Sequence, residues 1–285
     1  MTLDVVILKL NNQQKQMKEI FTKHIKKIEK PLLPKSFEND LYEASFYKLV
    51  RNYPEPSFIY RIVTKNNTAL FMKVGKGLRT ELEILQWLKD KMNVPSVINF
   101  STLTDIDYLL MTEVNGVPCD EPNWKQKPKF LIDKLIKSIQ ILQSIDIKNC
   151  PFHYFWKEQI KEAKIKIDKG ILKTNHLSLK YQYQPIEKHY EELVRLVPEH
   201  DEITFTHGDL CLPNIFISSD KISFVDLGLS GISDKYRDLA LLSRSICSNF
   251  GDDLEYYFLK KYCDGIDYKK IKFYRLLDQF VMHRN

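Results

Sequence analysis

Cysteine is scarce in this chain and follows no pairing pattern. The five cysteines are odd in number, and none belongs to a Cys-x-x-Cys pair. This distribution argues against a disulfide scaffold and against a zinc site. It is typical of proteins kept in a reducing compartment, so we expect a cytoplasmic location.

Long apolar runs are also absent. No window approaches the roughly 20 apolar residues that a helix needs to cross a bilayer. Residues 1–4 include no basic group, and the apolar run over residues 5–8 is too short for a secretory signal. The chain has no internal repeats and no low-complexity tail. We therefore expect no membrane partner.

Charges of both signs are plentiful but scattered. Lys and Arg number 43 and Asp and Glu 37, which gives a net charge of +6 in 285 residues. A diffuse positive excess aids solubility and attracts anions such as nucleotides. A nucleic-acid-binding protein would gather basic residues and stacking aromatics on one face, and the sequence has no such cluster. We expect no nucleic-acid partner, and a monomer or a weak dimer.

Hydrophobic periodicity predicts an α+β protein of two lobes. Residues 11–29 have apolar side chains at helical spacing, which predicts an amphipathic helix. Segments rich in β-forming residues follow, with a helix before the last of them, and together they predict a small antiparallel lobe. The predicted strands are residues 44–50, 57–64, 68–74 and 108–113, and the predicted helix is 78–92.

Glycine and proline in residues 114–118 predict a hinge. Beyond it the pattern is helical except for a β-rich stretch over residues 203–226. The predicted helices are 129–145, 152–168, 185–196, 234–250, 252–263 and 267–281. The predicted domains are an N-terminal helical extension, a first lobe and a second lobe, over residues 1–38, 39–114 and 115–285.

The most informative segment reads His-Gly-Asp-x4-Asn-x11-Asp-x-Gly. Its polar side chains are Asp209, Asn214 and Asp226. Oxygen atoms of Asp and Asn, with phosphate oxygens, are the ligands that Mg²⁺ accepts. An aspartate on the preceding loop is placed to orient or deprotonate a hydroxyl group. Kinase-like folds use this spacing to assemble a base and two magnesium ligands around a nucleoside triphosphate.

A short hairpin relates two of these residues. Residues 215–217 and 223–225 are β-forming runs joined by a turn centred near Asp220. Asn214 and Asp226 are equidistant from that centre, so we expect them to lie opposite each other. Asp and Asn also occur as ordinary turn residues, but the length of the pattern favours phosphate transfer.

With these motifs the chain resembles the aminoglycoside phosphotransferase family, and within it the 3′-phosphotransferases. The resemblance covers about residues 44–281 and includes residues 144–151, 234–240 and 273–278. It implies a bilobal protein-kinase-like fold with a small antiparallel β N-lobe containing one helix and a larger, mainly helical C-lobe. It also implies ATP or GTP and Mg²⁺ as cofactors, with phosphate transfer to a hydroxyl group of a small molecule.

The resemblance assigns roles in the second lobe. It implies Asp209 as the catalytic aspartate, and Asn214 with Asp226 as magnesium ligands. His207 and Asp238 are expected to brace the loop that carries the catalytic aspartate.

The first lobe supplies the nucleotide-binding residues in this interpretation. Strand alternation places Phe71 and Lys73 on the same face of the third strand. The resemblance implies that Lys73 binds phosphates and that Phe71 stacks on adenine. Glu81 lies on the inward face of the following helix and is the expected partner of Lys73. The backbone around Thr112 and Val114 would hydrogen-bond the adenine edge.

The acceptor side departs from the family pattern. The family holds polycationic aminoglycosides with acidic side chains, whereas residues 172–180 contain none. Ser248 and Asn249 stand where acids are expected, and Gln279 replaces a glutamate. The candidate substrate residues are Arg244, Asp278 and Gln279. Other acids that could take over are Glu158, Glu162, Asp252 and Asp253.

Two interpretations of the acceptor therefore stay open. One is aminoglycoside 3′-phosphorylation, an antibiotic-resistance activity, and the other is phosphorylation of a less cationic hydroxyl compound. Each lost carboxylate–ammonium contact is worth about 1 kcal/mol in water, so losing several costs on the order of 10²-fold in affinity.

Other classes fit the sequence less well. A protein kinase would have an activation segment ending in Ala-Pro-Glu, and it would place arginine at Gly208. A nucleotide-binding pseudokinase acting as a partner module would have lost Lys73, Asp209, Asn214 or Asp226, and all four are present. We therefore expect an enzyme.

Overall fold

The computed structural model describes residues 25–49, 57–219 and 221–281. The chain divides into two compact units. The first comprises Met1–Pro118 with Phe216–Gly228, and the second comprises Cys119–Ile215 with Leu229–Asn285. Each unit is built around its own sheet and helices.

The first unit contains a six-stranded antiparallel sheet with strand order β1-β2-β3-β4-β6-β5. Its strands are β1 (Ile25–Ile28), β2 (Ser45–Leu49), β3 (Ser57–Val63), β4 (Ala69–Gly75), β5 (Val97–Leu103) and β6 (Ile106–Thr112), and helix α1 (Arg79–Leu88) follows β4. A smaller sheet has the order β10-β9-β7 and consists of β7 (Val117–Pro118), β9 (Ile215–Ile217) and β10 (Ile222–Phe224).

Alternation along β4 determines which side chains point into the core. Leu70, Met72 and Val74 are buried, whereas Phe71 and Lys73 lie on the other face and are only partly buried. The buried face packs with side chains of β2, β3 and β6. Burying each large apolar side chain stabilises the fold by about 1.5–3 kcal/mol. The register of β4 is therefore strongly specified, and that register fixes the face on which Lys73 lies.

Helix α1 is anchored at its start and along one side. The backbone N–H of Leu78, which precedes the helix, donates to Asp107 Oδ2 at 2.9 Å. Asp107 also accepts a hydrogen bond from Thr102 Oγ1 at 2.7 Å. Leu82, Leu85 and other apolar residues on the inner side of the helix are buried. This packing places the first turn, with Glu81, against the protein interior.

The amphipathic helix predicted over residues 11–29 is wrong at its C-terminal end. Ile25–Ile28 forms β1 and pairs with β2, so that Ile25 lies opposite Leu49 and Ile28 opposite Phe46. Two isoleucines three residues apart fit one turn of a helix as well as two ends of a short edge strand. Residues 11–24 of that prediction lie outside the described residues. β5 is another strand that the sequence pattern did not predict.

The second unit is mainly helical. Its helices are α2 (Pro128–Gln143), α3 (Trp156–Asp168), α4 (Ile186–Arg195), α5 (Tyr236–Phe250), α6 (Asp252–Tyr262) and α7 (Tyr268–Val281). A two-stranded antiparallel sheet pairs β8 (Ile203–Thr206) with β11 (Gly231–Asp234). All six predicted helices of this part are present, with ends shifted by up to four residues for α3.

These elements confirm the predicted α+β class, with an antiparallel N-terminal sheet, one helix beside it and a helical C-terminal part. The predicted domain boundaries stay predictions. All five cysteines lie in the described part of the chain, and none forms a disulfide. Within that same part, each helix is too short or too polar to cross a membrane.

Candidate active site

Lys73 lies between two carboxylates of the first unit. Its Nζ is 2.7 Å from Glu81 Oε2 and 2.6 Å from Asp226 Oδ1. The side chains of Lys73 and Glu81 are 14% and 5% exposed, whereas that of Asp226 is 41% exposed. One carboxylate of this triad is therefore buried and the other is open to solvent.

The charges in the triad influence one another strongly. Burial acts to lower the pKa of Lys73, but attraction to Asp226 and Glu81 and hydrogen bonds to both outweigh it and raise that pKa. The two carboxylates therefore stabilise the charged form of Lys73. Burial raises the pKa of Glu81, and the charge of Lys73 counteracts part of this effect. Removing Lys73 would leave a buried carboxylate without a counter-charge.

Glu81 holds two parts of the first unit together. One carboxylate oxygen accepts the bond from Lys73, and Oε1 accepts the backbone N–H of Leu227 at 3.3 Å. Its place in the first turn of α1 is favourable, since the N-terminal end of a helix attracts negative charge. Glu81 thus fixes both the lysine and the backbone next to Asp226.

Asp226 has an unusual backbone conformation. Its φ is 61°, in the left-handed region. Such a conformation costs a non-glycine residue about 1–2 kcal/mol, although aspartate tolerates it better than most. The preceding strand β10 is held by Asn93, whose Nδ2 donates to Ile222 O at 3.2 Å and whose O accepts the N–H of Phe224 at 3.0 Å. Strained residues of this kind cluster at functional sites.

Phe71, Thr112 and Val114 were the other predicted nucleotide-binding residues. Phe71 is partly buried on the Lys73 face of β4. The N–H of Thr112 donates to Ser96 O at 2.9 Å, and its Oγ1 accepts the N–H of Ser96 at 2.9 Å. Both the backbone N–H and the hydroxyl group of Thr112 therefore bond to Ser96. Val114 lies just past the end of β6 and is partly exposed.

Asp209 and Asn214 lie together in the second unit. Asn214 Nδ2 donates to the backbone O of Asp209 at 2.9 Å and approaches its Oδ2 at 3.4 Å. The N–H of Asp209 donates to His207 Nδ1 at 3.3 Å. Because the amide nitrogen of Asn214 faces Asp209, its oxygen points to the opposite side of the amide. Asn214 itself is buried.

Asp238 holds the start of the loop that carries Asp209. Its Oδ2 accepts the N–H of His207 at 2.7 Å, and its Oδ1 accepts the N–H of Gly208 at 2.9 Å. Ser230 Oγ donates to His207 O at 2.8 Å. Burial raises the pKa of Asp238, while His207 and the two backbone N–H groups act to lower it. These contacts fit the predicted bracing role of His207 and Asp238.

Only glycine fits at position 208. Its φ is 86°. A Cβ atom there would lie 2.1 Å from Leu229 O and 2.8 Å from Arg237 Nη2. Arg237 in turn donates to Leu229 O from Nη1 at 3.3 Å. The loop before Asp209 is thus pressed against the backbone of Leu229.

The three candidate substrate residues form one network. Arg244 Nη1 lies 2.6 Å from Asp278 Oδ2, and Gln279 Nε2 donates to the same oxygen at 3.4 Å. Gln279 Oε1 accepts hydrogen bonds from both the backbone N–H and the hydroxyl group of Ser178. Asp278 and Gln279 are buried. Arg244 therefore neutralises the one carboxylate of this network.

Ser245 links this network to the loop of Asp209 and was not predicted. Its Oγ accepts the N–H of Leu212 at 3.1 Å. A single serine within a helix gives no spacing signal, because serine hydroxyls bond locally in many helices. Burial acts to lower the pKa of Arg244, but the charge of Asp278 and, to a smaller extent, that of Asp209 raise it. Arg244 thus lies within electrostatic reach of Asp209.

Comparison with known proteins assigns the chain to a family. The model of a phosphotransferase enzyme family, APH, matches residues 57–274. The chain belongs to this family. An aminoglycoside 3′-phosphotransferase of Niallia circulans is 30% identical over 78% of this chain and 87% of that protein. Another, of Campylobacter jejuni, is 32% identical over 79% of this chain and 92% of that protein.

Solved structures of APH phosphotransferases share the fold. An aminoglycoside 3′-phosphotransferase of type VIII matches with a TM-score of 0.71 and 26% identity, over 82% of this chain and 93% of that one. An aminoglycoside phosphotransferase of Streptomyces rimosus, solved with ADP and streptomycin, matches with a TM-score of 0.67 and 24% identity, over 79% and 90% of the two chains. The predicted family, kinase-like fold and enzyme class are confirmed.

Proposed function

We propose that this APH phosphotransferase transfers the γ-phosphate of ATP or GTP to a hydroxyl group of a small molecule. The observation that carries the proposal is the partly buried ammonium group of Lys73, held between Glu81 and Asp226 at 2.7 and 2.6 Å. An ammonium group beside a solvent-open carboxylate suits a phosphate chain and its metal ion.

Lys73 would bind the phosphates on the nucleotide side, and Glu81 would hold it in place. Phe71 would stack on the base, and the backbone around Thr112 and Val114 would meet its edge. Since Thr112 already donates its N–H to Ser96, Val114 is the better placed donor of the two. The neighbour from Streptomyces rimosus was solved with ADP, which supports nucleotide use here.

Asn214 and Asp226 are the proposed ligands of Mg²⁺. The amide oxygen of Asn214 and the exposed carboxylate of Asp226 are hard oxygen donors, and Mg²⁺ prefers such donors. The residues present therefore fit this ion. When bound, Mg²⁺ would neutralise negative charge on the phosphates.

Asp209 is the proposed catalytic residue. Its carboxylate would orient the acceptor hydroxyl and take the proton as the hydroxyl oxygen bonds to phosphorus and the bond to the leaving diphosphate breaks. Asn214 restrains Asp209 by hydrogen bonds to its backbone and carboxylate oxygens. Asp238 and Gly208 keep the loop in one conformation.

The acceptor is the less determined half of the proposal. The relatives named above are aminoglycoside 3′-phosphotransferases, so aminoglycosides are the first candidates, and resistance to them would be the biological role. A less cationic hydroxyl compound is the alternative, since Gln279 and residues 172–180 supply no acid. A cytoplasmic monomer or weak dimer remains our proposal for its state.

The test is release of ADP or GDP, measured by a coupled assay against aminoglycosides, peptide antibiotics and simple amino alcohols. We expect release that depends on at least one acceptor and is lost in Asp209→Asn. Release that is equal in the wild type and in Asp209→Asn would contradict the proposal.

A further inference from the structure

Arg237 is a buried cation in the first turn of α5, directly before Asp238. Its side chain belongs to a residue that is 6% exposed. Burial lowers the pKa of its guanidinium group, and the charge of Asp238 counteracts part of this effect. The N-terminal end of a helix also disfavours positive charge. A cation in this place is costly to the fold, which indicates that the guanidinium group makes contacts that offset the cost.

The guanidinium group lies against the loop that carries Asp209. Nη1 donates to Leu229 O at 3.3 Å. Nη2 would lie 2.8 Å from a Cβ atom at Gly208, and Leu229 O would lie 2.1 Å from the same atom. The guanidinium group of Arg237 and the carbonyl group of Leu229 therefore both contact Gly208, the residue before Asp209. All of these residues belong to the second unit.

The ring of Tyr154 restrains the guanidinium group. Arg237 Cζ lies 5.0 Å from the centre of that ring, a cation–π contact. Tyr154 is itself fixed to β11, because its N–H donates to Ile232 O at 2.9 Å and its O accepts the hydroxyl group of Ser233 at 2.9 Å. The sheet thus determines where the guanidinium group lies.

Arg237 and Asp238 act on the same loop with opposite groups. Asp238 accepts the backbone N–H groups of His207 and Gly208, whereas Arg237 donates to Leu229 O and fills the space beside Gly208. The opposite charges of the two side chains also stabilise each other. Neighbouring residues of one helix therefore hold the loop through an acceptor and a donor.

We propose that Arg237 is a positioning residue for phosphate transfer. Its guanidinium group keeps Gly208 against Leu229 and thereby sets the place of the Asp209 carboxylate. A misplacement of about 1 Å in an active site can lower the rate on the order of 10²-fold. The inference rests on the proposed function, since it takes Asp209 as the residue that acts on the acceptor hydroxyl.

The test measures kcat and the KM for ATP in three variants. The acceptor is the compound of the panel above that gives the fastest release, with the aminoglycoside kanamycin tried first. Arg237→Met removes the charge and the donors, and Arg237→Lys keeps the charge without the planar fork. Arg275→Met is the matched control, because Arg275 is a partly buried arginine of the same unit that donates to a backbone carbonyl, Ala240 O at 3.2 Å, and pairs with Glu255.

We expect Arg237→Met to lower kcat on the order of 10- to 10²-fold and to leave the KM for ATP unchanged, since the proposed nucleotide residues lie in the first unit. Arg237→Lys should lie between it and the wild type, because one ammonium group cannot both donate to Leu229 O and fill the space beside Gly208. Arg275→Met should keep the kcat of the wild type. All variants are assayed where urea unfolding shows them to be folded. Equal kcat in the two methionine variants, or wild-type kcat in Arg237→Lys, would overturn the inference.

A double-mutant cycle with Asp209→Asn separates positioning from a purely structural role. If Arg237 acts through Asp209, Arg237→Met should lower the residual turnover of Asp209→Asn by much less than it lowers that of the wild type. This residual turnover is measured at high enzyme concentration over long incubation. The same fold loss in both backgrounds would mean a structural role alone and would also overturn the inference.

The proposed function can fail separately. It is wrong if Asp209→Asn releases ADP as fast as the wild type, a result that does not involve Arg237, and the inference then falls with it. If release depends on Asp209 and Arg237→Met is as active as the wild type, the proposed function stands and the inference is wrong.

Discussion

Gly208→Ala is predicted to destabilise the second unit strongly. At φ of 86° an alanine costs about 1–2 kcal/mol more than glycine. Its Cβ would also lie 2.1 Å from Leu229 O, a backbone atom that cannot rotate away. Overpacking of this kind costs about 1–3 kcal/mol. The free energy of unfolding should therefore fall by about 2–5 kcal/mol.

Gly170→Ala is the matched control. Gly170 has a φ of 66°, and no described atom lies within 4 Å of a Cβ built there. It carries the same kind of backbone cost without the clash, so about 1–2 kcal/mol is expected. Any gain from a stiffer unfolded chain is common to both variants. Both glycines lie in the second unit, so one unfolding transition reports both changes.

The assay is urea unfolding followed by tryptophan fluorescence, with free energies from linear extrapolation. The difference between the two variants measures the contact of Gly208 with Leu229. Turnover should fall in Gly208→Ala even where the protein is folded, because the displaced loop carries Asp209. Equal free energies for the two variants would refute the steric argument.

Three further substitutions test the site. Asp209→Asn should keep the nucleotide affinity measured by calorimetry and lower the turnover measured in a coupled assay by roughly 10²–10⁴-fold. Unchanged turnover would exclude Asp209 as the base. Lys73→Met should weaken nucleotide binding and destabilise the protein by about 3–5 kcal/mol, because Glu81 loses its counter-charge. In the double variant Lys73→Met with Glu81→Gln, urea unfolding should show that stability is recovered, whereas calorimetry should show that nucleotide affinity is not. Asp238→Asn leaves one backbone N–H without an acceptor, so a loss of about 1–3 kcal/mol in the same unfolding assay is expected, and no loss would contradict the bracing role.

Local patterns in the sequence were sufficient for most of the fold. Period-two alternation in β4 placed Lys73 on the correct face, and the spacing of leucines in α1 placed Glu81 inward. β1 was missed because Ile25 and Ile28 are too few to distinguish a strand from a helical turn. Pairing with β2 decides its conformation, and such pairing is a tertiary effect that local spacing does not contain.

The residue types that the chemistry requires could be predicted from the sequence. The contacts that depend on tertiary geometry could be predicted less well. The contact of Lys73 with Glu81 followed from strand and helix faces. The hairpin differed in detail: Ser218 N–H bonds to Lys221 O, and β10 begins at Ile222, one residue before the predicted start. The expected pairing of Asn214 with Asp226 stays a prediction. The network of Arg244 with Asp278 was not foreseen, since sequence spacing does not show which charges neutralise each other.

The two carboxylates around Lys73 are not equivalent, and the difference indicates which of them exchanges its partner. Glu81 is buried and also accepts a backbone N–H, so breaking its pair would cost about 3–5 kcal/mol. Asp226 is 41% exposed, so water can replace part of its contact with Lys73, and breaking this pair costs less than breaking the buried one. The left-handed backbone conformation of Asp226 is a further free-energy cost in the folded protein. A nucleotide with its metal ion would therefore draw Asp226, and not Glu81, away from Lys73.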